Sequence, residues 1–489
     1  MPISNMTALE LAGAIRTRKL SAPEALGETL ARMDATEGKL HAYLAVDPDR
    51  AMRDAERVQA RIDAGQAFSP LAGVPVALKD NICTDHLKTT CASRMLADFL
   101  PPYRATVVHK LTENDMILNG KLNMDEFAMG STTETSYFGA TANPWDLGRV
   151  PGGSSGGAAA AVAVGSAICA LGSDTGGSIR QPASHCGVTG FKPTYGTVSR
   201  YGLIAYASSL EQIGPIGRDA ADCAALMDVI RGRDERDSTS IASENESYLG
   251  ALTGDICGLR IGIPRECLDG DLSPEVAARV LEMAKQLEKL GAIVKRDNFP
   301  LVQHAVSAYY IIATAEAASN LARYDGIKYG YRAAGEMPLS EVYTRSRSEG
   351  FGEEVKRRIL LGNFVLSAGY YDAYYRRALK VKAAITAQFA ALFERYDLLL
   401  MPTAPMTAPR MGETLGDAIG MYNADRFTVP VSLAGLPALT LPCGFGTDGM
   451  PIGAQLVGPA FTDARVLAAG YAYQQATDYH LQRPKGVRI

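Results

Sequence analysis

The sequence predicts an α/β protein in which one large mixed β-sheet is sandwiched between layers of α-helices. Strand-like runs alternate with helical runs over the first half of the chain, the middle third is mainly helical, and strand character returns towards the C-terminus. The 489 residues, 47% of them hydrophobic and 21% charged, exclude disordered and fibrous classes. We predict a single domain over 1–489, with N-terminal helices in 1–65, a sheet core in 66–231, a helical middle part in about 270–396 and a return to the sheet in 397–489.

Helices open the chain. The segments that start at Thr7 and Ser21 both match the capping-box pattern, which predicts that two amphipathic helices begin there. A third helical stretch covers 49–64 and stops at Gly65. The apolar run 74–78 then predicts a buried strand. It places Lys79 at the C-terminal end of that strand, where α/β proteins keep their chemistry.

The remaining elements follow from periodicity. The polar stretch 232–256 predicts a long surface loop rather than a domain linker, and the helical middle third is expected to cap the sheet. Strands are predicted at 116–119, 168–172, 213–216, 259–263, 398–401, 438–442 and 453–457, and helical runs at 157–164, 220–230, 276–290, 305–324, 353–396 and 463–477.

Composition excludes several functions. With 49 Lys and Arg against 53 Asp and Glu, the chain lacks the basic excess of a nucleic-acid binder, so any RNA handling is expected to fall to a partner. The eight cysteines form no CxxC pair and predict core residues in a reducing, cytoplasmic setting. We expect no signal peptide and no membrane span, since the most apolar run, 158–171, is too short and predicts a buried helix followed by a strand. The histidines show no metal-binding spacing.

Two glycine-rich loops carry serines. Residues 151–157 (PGGSSGG) precede a helix, and residues 172–182 (GSDTGGSIRQP) follow a strand. Glycine lets backbone N–H groups approach and hold an anion, which is either a phosphate or an oxyanion. The phosphate interpretation lacks a GxxxxGK[ST] run and an acidic residue at the dinucleotide spacing. Tight turns and helix-capping serines would explain one such loop, but two loops downstream of a strand-end lysine indicate a functional site.

The stretch from Gly152 to Pro182 resembles the signature of the amidase signature family, which implies the amidase signature fold. The resemblance also implies a Ser-cisSer-Lys triad: Ser178 attacks an amide carbonyl, Ser154, with a cis peptide, relays the proton, and Lys79 is the base. Serine needs such a base, and a lysine with its ordinary pKa of about 10.4 is protonated at neutral pH. Burial among apolar neighbours would lower that pKa, so Lys79 is expected to work uncharged.

The same resemblance implies an oxyanion hole. The backbone N–H groups of Gly176, Gly177 and Ser178, near Thr175, would stabilise the tetrahedral intermediate. His185 follows Ser178 closely and suggests a Ser-His-Asp arrangement, but the resembling family uses no histidine there.

Further segments resemble one subfamily, the A subunits of glutamyl-tRNA(Gln) amidotransferases, over nearly the whole chain. These subunits are glutaminases, and the resemblance implies that Arg358 binds the α-carboxylate of glutamine, Asp425 its α-ammonium, and that Tyr309 is a further substrate contact. Without the resemblance, Arg358 would be interpreted as a solvated charge on a helix and Asp425 as a turn or cap residue. The segments are 120–131, 143–146, 192–196, 199–203, 354–358 and 367–375.

Partners follow from the resemblance too. It implies a heterotrimer in which ammonia released at Ser178 passes to a B subunit, where ATP and Mg²⁺ activate glutamyl-tRNA(Gln) or aspartyl-tRNA(Asn), while a small C subunit wraps this chain. No cofactor is expected in the chain itself.

Two alternative functions stay open: a stand-alone amidase acting on other carboxamides, and a catalytically silent scaffold of a tRNA-modifying complex. The presence of Lys79, Ser154 and Ser178 argues against the scaffold.

Overall fold

The chain is built around a mixed β-sheet. The computed structural model describes residues 2–66, 69–242, 247–269 and 272–485. The strands in these ranges are β1 (Tyr43–Ala45), β2 (Pro75–Lys79), β3 (Ile117–Leu122), β4 (Cys169–Asp174), β5 (Thr189–Lys192), β6 (Gln212–Gly217), β7 (Arg260–Pro264), β8 (Ile293–Asp297), β9 (Leu398–Pro402), β10 (Ala438–Phe445) and β11 (Pro451–Val457). They join in one sheet in the order β1-β3-β2-β4-β6-β5-β10-β11-β9-β7-β8. The pairs β2–β3, β2–β4, β7–β8 and β7–β9 are parallel, and the others are antiparallel.

The helices begin where the sequence signals predict. Thr7 and Ser21 each accept a hydrogen bond from the backbone N–H three residues on, and both complete their capping boxes. The helices of the described ranges are α1 (Ala8–Arg16), α2 (Ala22–Leu40), α3 (Pro48–Asp63), α4 (Thr106–Glu113), α5 (Gly156–Val164), α6 (Arg180–Cys186), α7 (Ala220–Ile230), α8 (Pro274–Lys289), α9 (Ala305–Asn320), α10 (Leu339–Gly350), α11 (Glu353–Leu366), α12 (Arg376–Phe393), α13 (Ala418–Asn423), α14 (Val429–Leu433) and α15 (Asp463–Gln475).

Helices cover both faces of the sheet. In α15, Gly470 lies against Leu439 and Leu441 of β10, whereas a methyl group on Gly453 of β11 would lie 2.6 Å from Ser184 Oγ of α6. Gly453 is paired with Pro442, an even-numbered position of β10, so α6 and α15 lie on opposite faces. The predicted α/β class, with one mixed sheet between helical layers, is confirmed.

Most predicted elements are present. The run 158–171 is a buried helix followed by a strand, as expected, and no helix in the described ranges is long and apolar enough to cross a membrane. The run 353–396 is divided into α11 and α12 by a turn at Gly369 (φ +86°) and a π-helical turn at Tyr371–Tyr375. Strands β1, β5 and β8 were not predicted. Of the polar loop 232–256, residues 243–246 lie outside the described residues, and the others form neither helix nor strand.

The helical middle part covers the sheet unevenly. Helix α8 packs against β8, β9, β10 and β11, whereas α9 packs mainly against α11, α12 and α14. The expectation that the middle third caps the sheet therefore holds directly for α8. The other helices form a further layer, and α9 and α11 bring Tyr309 and Arg358 towards the loop that follows β4.

The sheet also fixes the place of the two serine loops. Strands β2 and β4 are parallel neighbours, with Leu78 opposite Leu171, so their C-terminal ends meet at one edge. Lys79 ends β2, and the loop that carries Ser178 continues from the end of β4 at that edge. Helix α5 begins directly after the other serine loop and packs on β2 and β4. Three segments far apart in sequence therefore converge.

Candidate active site

Lys79 is fully buried at the end of β2. Its Nζ lies 2.6 Å from Ser154 Oγ and 3.2 Å from the carbonyl oxygen of Ser173. Burial lowers the pKa of Lys79 to about 7, and the nearby carboxylates Asp125 and Asp174 oppose the shift. Because the pKa lies close to neutral pH, much of the population carries an uncharged amine that can accept the Ser154 proton across the 2.6 Å contact.

Ser154 lies in a loop fixed from two sides. The peptide bond between Gly153 and Ser154 is cis, as the resemblance implied. The N–H of Gly153 donates to Gln181 Oε1 at 2.8 Å, and the N–H of Ser155 donates to the carbonyl oxygen of Ser178 at 3.0 Å. The two serine loops are thereby held side by side, with Ser154 between Lys79 and the loop that carries Ser178.

Ser178 is the most exposed member of the predicted triad. It is 8% exposed, whereas Lys79 and Ser154 are both 0% exposed. Among the hydrogen bonds of the described residues, none joins Ser178 Oγ to Ser154 Oγ. Hydrogen bonds between catalytic groups are often long before substrate binds, so this geometry is compatible with a relay that tightens on binding.

A buried ion pair shapes the loop after β4. Arg180 donates to both carboxylate oxygens of Asp174 at 3.0 Å, to Gln455 Oε1 at 3.0 Å and to Ser432 Oγ at 2.8 Å. Both charged side chains are fully buried, and Asp174 also accepts from the N–H of Ile179. The arginine holds the pKa of Asp174 below its usual value against the effect of burial. Both residues lie within the glycine-rich motif, but the sequence pattern predicted no role for either.

The residues of the predicted oxyanion hole lie against the side chains of Tyr309 and Thr428. A methyl group on Gly176 would come within 2.7 Å of Tyr309 Oη, and one on Gly177 within 2.3 Å of Thr428 Oγ1. Thr428 Oγ1 also donates to the carbonyl oxygen of Gly176 at 2.6 Å. Gly177 has φ +148°, a conformation that glycine adopts readily. The loop from Thr175 onwards therefore presents its backbone to Tyr309 and Asp425, two of the predicted substrate residues.

Arg358 is a buried cation in an aromatic cage. It donates from Nε to Glu354 Oε1 at 2.7 Å and from Nη1 to Tyr206 Oη at 2.8 Å. The rings of Tyr206, Tyr310 and Tyr422 lie 5.1 to 5.6 Å from the guanidinium carbon. Within the described residues, its Nη2 carries no hydrogen bond, which leaves one donor group for a ligand. Arg358 is therefore no solvated helix charge.

Asp425 is a buried carboxylate with an open oxygen. Its Oδ1 has no hydrogen-bond partner within the described part of the chain and lies 3.3 Å from where a methyl group on Gly177 would be. Burial raises the pKa of Asp425 well above its usual value, and the charge of Arg358 acts against this. An unpaired buried carboxyl is costly, so this position suits a cationic ligand. The arrangement can hold an anion near Arg358 and a cation near Asp425, beside a serine.

Comparison with known protein families shows to which family this chain belongs. A sequence model of the family described as "Amidase" matches residues 24–467. The chain belongs to the amidase family. Among the curated relatives of this amidase, the glutamyl-tRNA(Gln) amidotransferase A subunit of Moorella thermoacetica is 54% identical over 99% of both chains, and that of Lachnoclostridium phytofermentans is 53% identical over 99% of both.

Solved structures resemble this amidase over their whole length. The glutamyl-tRNA(Gln) amidotransferase A subunit of Thermotoga maritima is 40% identical with a TM-score of 0.82, covering 100% of this chain and 99% of that one. A peptide amidase of Stenotrophomonas maltophilia is 27% identical with a TM-score of 0.84, covering 99% of each. The similarity is therefore to amidases of different named activities.

His185 follows Ser178 closely in sequence but does not pair with it in the described part of the chain. His185 is buried in α6, burial lowers its pKa to about 4, and no hydrogen bond in the described ranges joins it to Ser178. Across those ranges no group of three or more His, Cys, Asp or Glu side chains is placed to hold a metal ion. Seven of the eight cysteines are buried, Cys257 is exposed, and none is in a disulfide.

Proposed function

We propose that this amidase hydrolyses glutamine as the A subunit of a glutamyl-tRNA(Gln) amidotransferase. The observation that carries the proposal is the 2.6 Å contact between Lys79 Nζ and Ser154 Oγ, beside the loop that bears Ser178. The full-length similarity to curated A subunits supports the assignment of substrate. Lys79, Ser154 and Ser178 are assigned the roles of base, relay and nucleophile.

In the proposed reaction, Ser178 Oγ attacks the side-chain carbonyl carbon of glutamine. Its proton passes to Ser154 while Ser154 gives its own proton to neutral Lys79. The oxyanion accepts hydrogen bonds from backbone N–H groups at Gly176, Gly177 and Ser178, each worth about 3 kcal/mol. The relay then runs in reverse, the nitrogen leaves as ammonia, and a γ-glutamyl ester on Ser178 is left. Water hydrolyses the ester to glutamate by the same relay.

The charges of Arg358 and Asp425 match those of glutamine. The α-carboxylate would bind Arg358, whose Nη2 is open, and the α-ammonium would bind Asp425, whose Oδ1 is open. Substrate binding would thereby give both groups a partner. This pairing would explain why the buried carboxyl of Asp425 has no partner when no substrate is bound. Tyr309, packed on Gly176, would contact the side chain of the substrate.

The proposal includes partners that this chain does not contain. A B subunit would bind ATP and Mg²⁺ and transfer the ammonia to glutamyl-tRNA(Gln) or aspartyl-tRNA(Asn), and a C subunit would complete a heterotrimer. The net charge of −4 suits a protein that leaves RNA binding to others. Eight cysteines outside any disulfide suit the reducing cytoplasm, where we place the complex.

A second candidate is an amidase that acts alone on other carboxamides. The structural similarity to a peptide amidase favours it. Ammonia release would be measured from glutamine, asparagine and C-terminal peptide amides, with the lone chain and with candidate B and C subunits. The proposal expects glutamine or asparagine to be preferred and release to depend on the partners. Rapid release from peptide amides by the lone chain would instead establish the second candidate.

A further inference from the structure

Asp125 is a buried carboxylate wedged between two backbone segments of the site. It is fully buried, in the segment 120–131. A methyl group on Gly153 would lie 2.0 Å from Asp125 Oδ2, and one on Gly130 would lie 2.4 Å from Oδ1. Both positions therefore need glycine for the carboxylate to fit. The Asp125 side chain touches the backbone immediately before Ser154.

The hydrogen bonds of Asp125 leave one oxygen open. Oδ1 accepts from Thr135 Oγ1 at 2.9 Å, and within the described residues Oδ2, the oxygen nearest Gly153, has no partner. The backbone N–H of Asp125 donates to the carbonyl oxygen of Ser154 at 3.3 Å. Asp125 thus contacts both residues of the Gly153–Ser154 peptide, through its side chain and its backbone.

Asp125 differs from the other groups that act electrostatically on Lys79, which are Asp174, Glu211 and Cys91. Asp174 is neutralised by Arg180 at 3.0 Å and Glu211 by Arg200 at 3.2 Å, and burial raises the pKa of the Cys91 thiol, which keeps it uncharged. In the described ranges Asp125 has no cationic side chain within ion-pair distance. Burial raises the pKa of Asp125, and the charge of Lys79 acts against this rise. Asp125 also raises the pKa of a further carboxylate, Asp425.

We propose that Asp125 is a positioning residue for the Lys79–Ser154 pair, and that its unpaired carboxylate sets the basicity of the Lys79 amine. This inference rests on the proposed roles of Lys79, Ser154 and Ser178. Burial alone weakens an amine as a base, and a nearby anion restores its ability to hold a proton. General bases work best when their pKa lies near the working pH, which is the condition that Asp125 maintains.

The test is the pH dependence of covalent labelling of Ser178 by a fluorophosphonate, in the full chain alone and co-purified with candidate B and C subunits. Ser178 Oγ bonds to phosphorus, the P–F bond breaks to release fluoride, and the hydroxyl proton passes through Ser154 to Lys79. Wild-type labelling should rise with pH through a midpoint near 7, where Lys79 loses its proton. In Asp125→Asn the midpoint should move at least about one pH unit lower, because the ammonium has lost its anion.

A second variant covers the case in which Asp125→Asn does not fold. Thr135→Val removes the hydroxyl that stabilises the Asp125 anion, so it should move the midpoint in the same direction by a smaller amount. Circular dichroism checks folding of both variants. A midpoint that stays in place in the folded variants overturns the inference while leaving the triad intact. Failure of wild-type Ser178 to label at any pH overturns the triad, and this inference with it.

Glu126→Gln is the matched control, because it removes a buried carboxylate one residue away. Burial raises the pKa of Glu126 to about 7, close to the expected midpoint. Its oxygens accept from Ser93 Oγ and the N–H of Gly352, and it is not among the groups that act on Lys79. The midpoint should therefore stay near 7 in this variant. If the midpoint of Glu126→Gln moved as far as that of Asp125→Asn, the shift would result from the loss of any buried carboxylate. That result would overturn the inference.

Discussion

Replacing Lys79 with methionine is expected to abolish hydrolysis and to stabilise the fold at neutral pH. Burial lowers the pKa of this lysine from 10.5 to about 7. At 1.36 kcal/mol per pKa unit, keeping the ammonium in the folded protein costs about 5 kcal/mol. Within the described residues no carboxylate lies within ion-pair distance of Lys79, so its burial is not offset by an ion pair. Methionine has a similar shape and removes the charge.

The gain in stability of Lys79→Met is reduced by the loss of two hydrogen bonds. Lys79 donates to Ser154 Oγ and to the carbonyl oxygen of Ser173, and each bond is worth about 1 kcal/mol. The free energy of unfolding at pH 7 should therefore rise by about 2–3 kcal/mol. Because the folded pKa lies below the unfolded one, the burial cost is full below pH 7 and is relieved between pH 7 and 10.5. The stability advantage of Lys79→Met over the wild type should therefore shrink as the pH rises from 7 to 10.5.

Urea unfolding of the full chain at pH 7 and pH 9 measures these changes. Lys121→Met is the matched control, because Lys121 is also fully buried, on the neighbouring strand β3, but forms an ion pair with Asp80 at 2.8 Å. Removing it leaves the Asp80 carboxylate unpaired and should cost about 3–5 kcal/mol. The two substitutions should thus have opposite signs. Loss of stability in Lys79→Met as large as that in Lys121→Met would contradict an unpaired, buried ammonium at Lys79.

Two further predictions concern binding and the oxyanion loop. Arg358→Met should raise KM for glutamine about tenfold to a hundredfold, because a charge-assisted hydrogen bond is worth about 1.5–3 kcal/mol. Steady-state kinetics should show no such rise in Arg357→Met, whose side chain is 44% exposed and forms an ion pair with Glu354. Equal effects of the two substitutions would contradict the role of Arg358. Gly177→Ala should abolish turnover, since its methyl group would meet Thr428 Oγ1 at 2.3 Å in a backbone conformation of φ +148°. Activity assays alongside circular dichroism would check this, and a folded, active variant would contradict the loop geometry.

Sequence patterns predict those elements whose periodicity or end signals are strong. The capping boxes at Thr7 and Ser21 and the apolar run 74–78 are examples. Strand β5 is too short for alternation and contains Gly190, and it becomes a strand because β6 and β10 flank it. Strand β8 ends in three charged residues, and its partly exposed position at the sheet edge accommodates them. Such strands are set by tertiary pairing rather than by local preference.

The site was predictable only in part. Lys79 and Ser154 are 75 residues apart, and no spacing rule brings them together, so their proximity was expected from family resemblance alone. The pairing of Arg180 with Gln455 spans 275 residues and depends on where β11 lies in the sheet. Asp125 gave no sequence signal of a role, because its environment is created by Gly130 and by a glycine in another loop.

The decisive measurement for the glutaminase assignment is ammonia release from glutamine by the chain co-purified with candidate B and C subunits. Ser178→Ala is compared with Ser155→Ala, a buried serine in the neighbouring loop whose hydroxyl makes one long contact of 3.3 Å. We expect release to depend on the partners, to be lost in Ser178→Ala and to persist in Ser155→Ala. Release by Ser178→Ala at the wild-type rate would contradict the assignment.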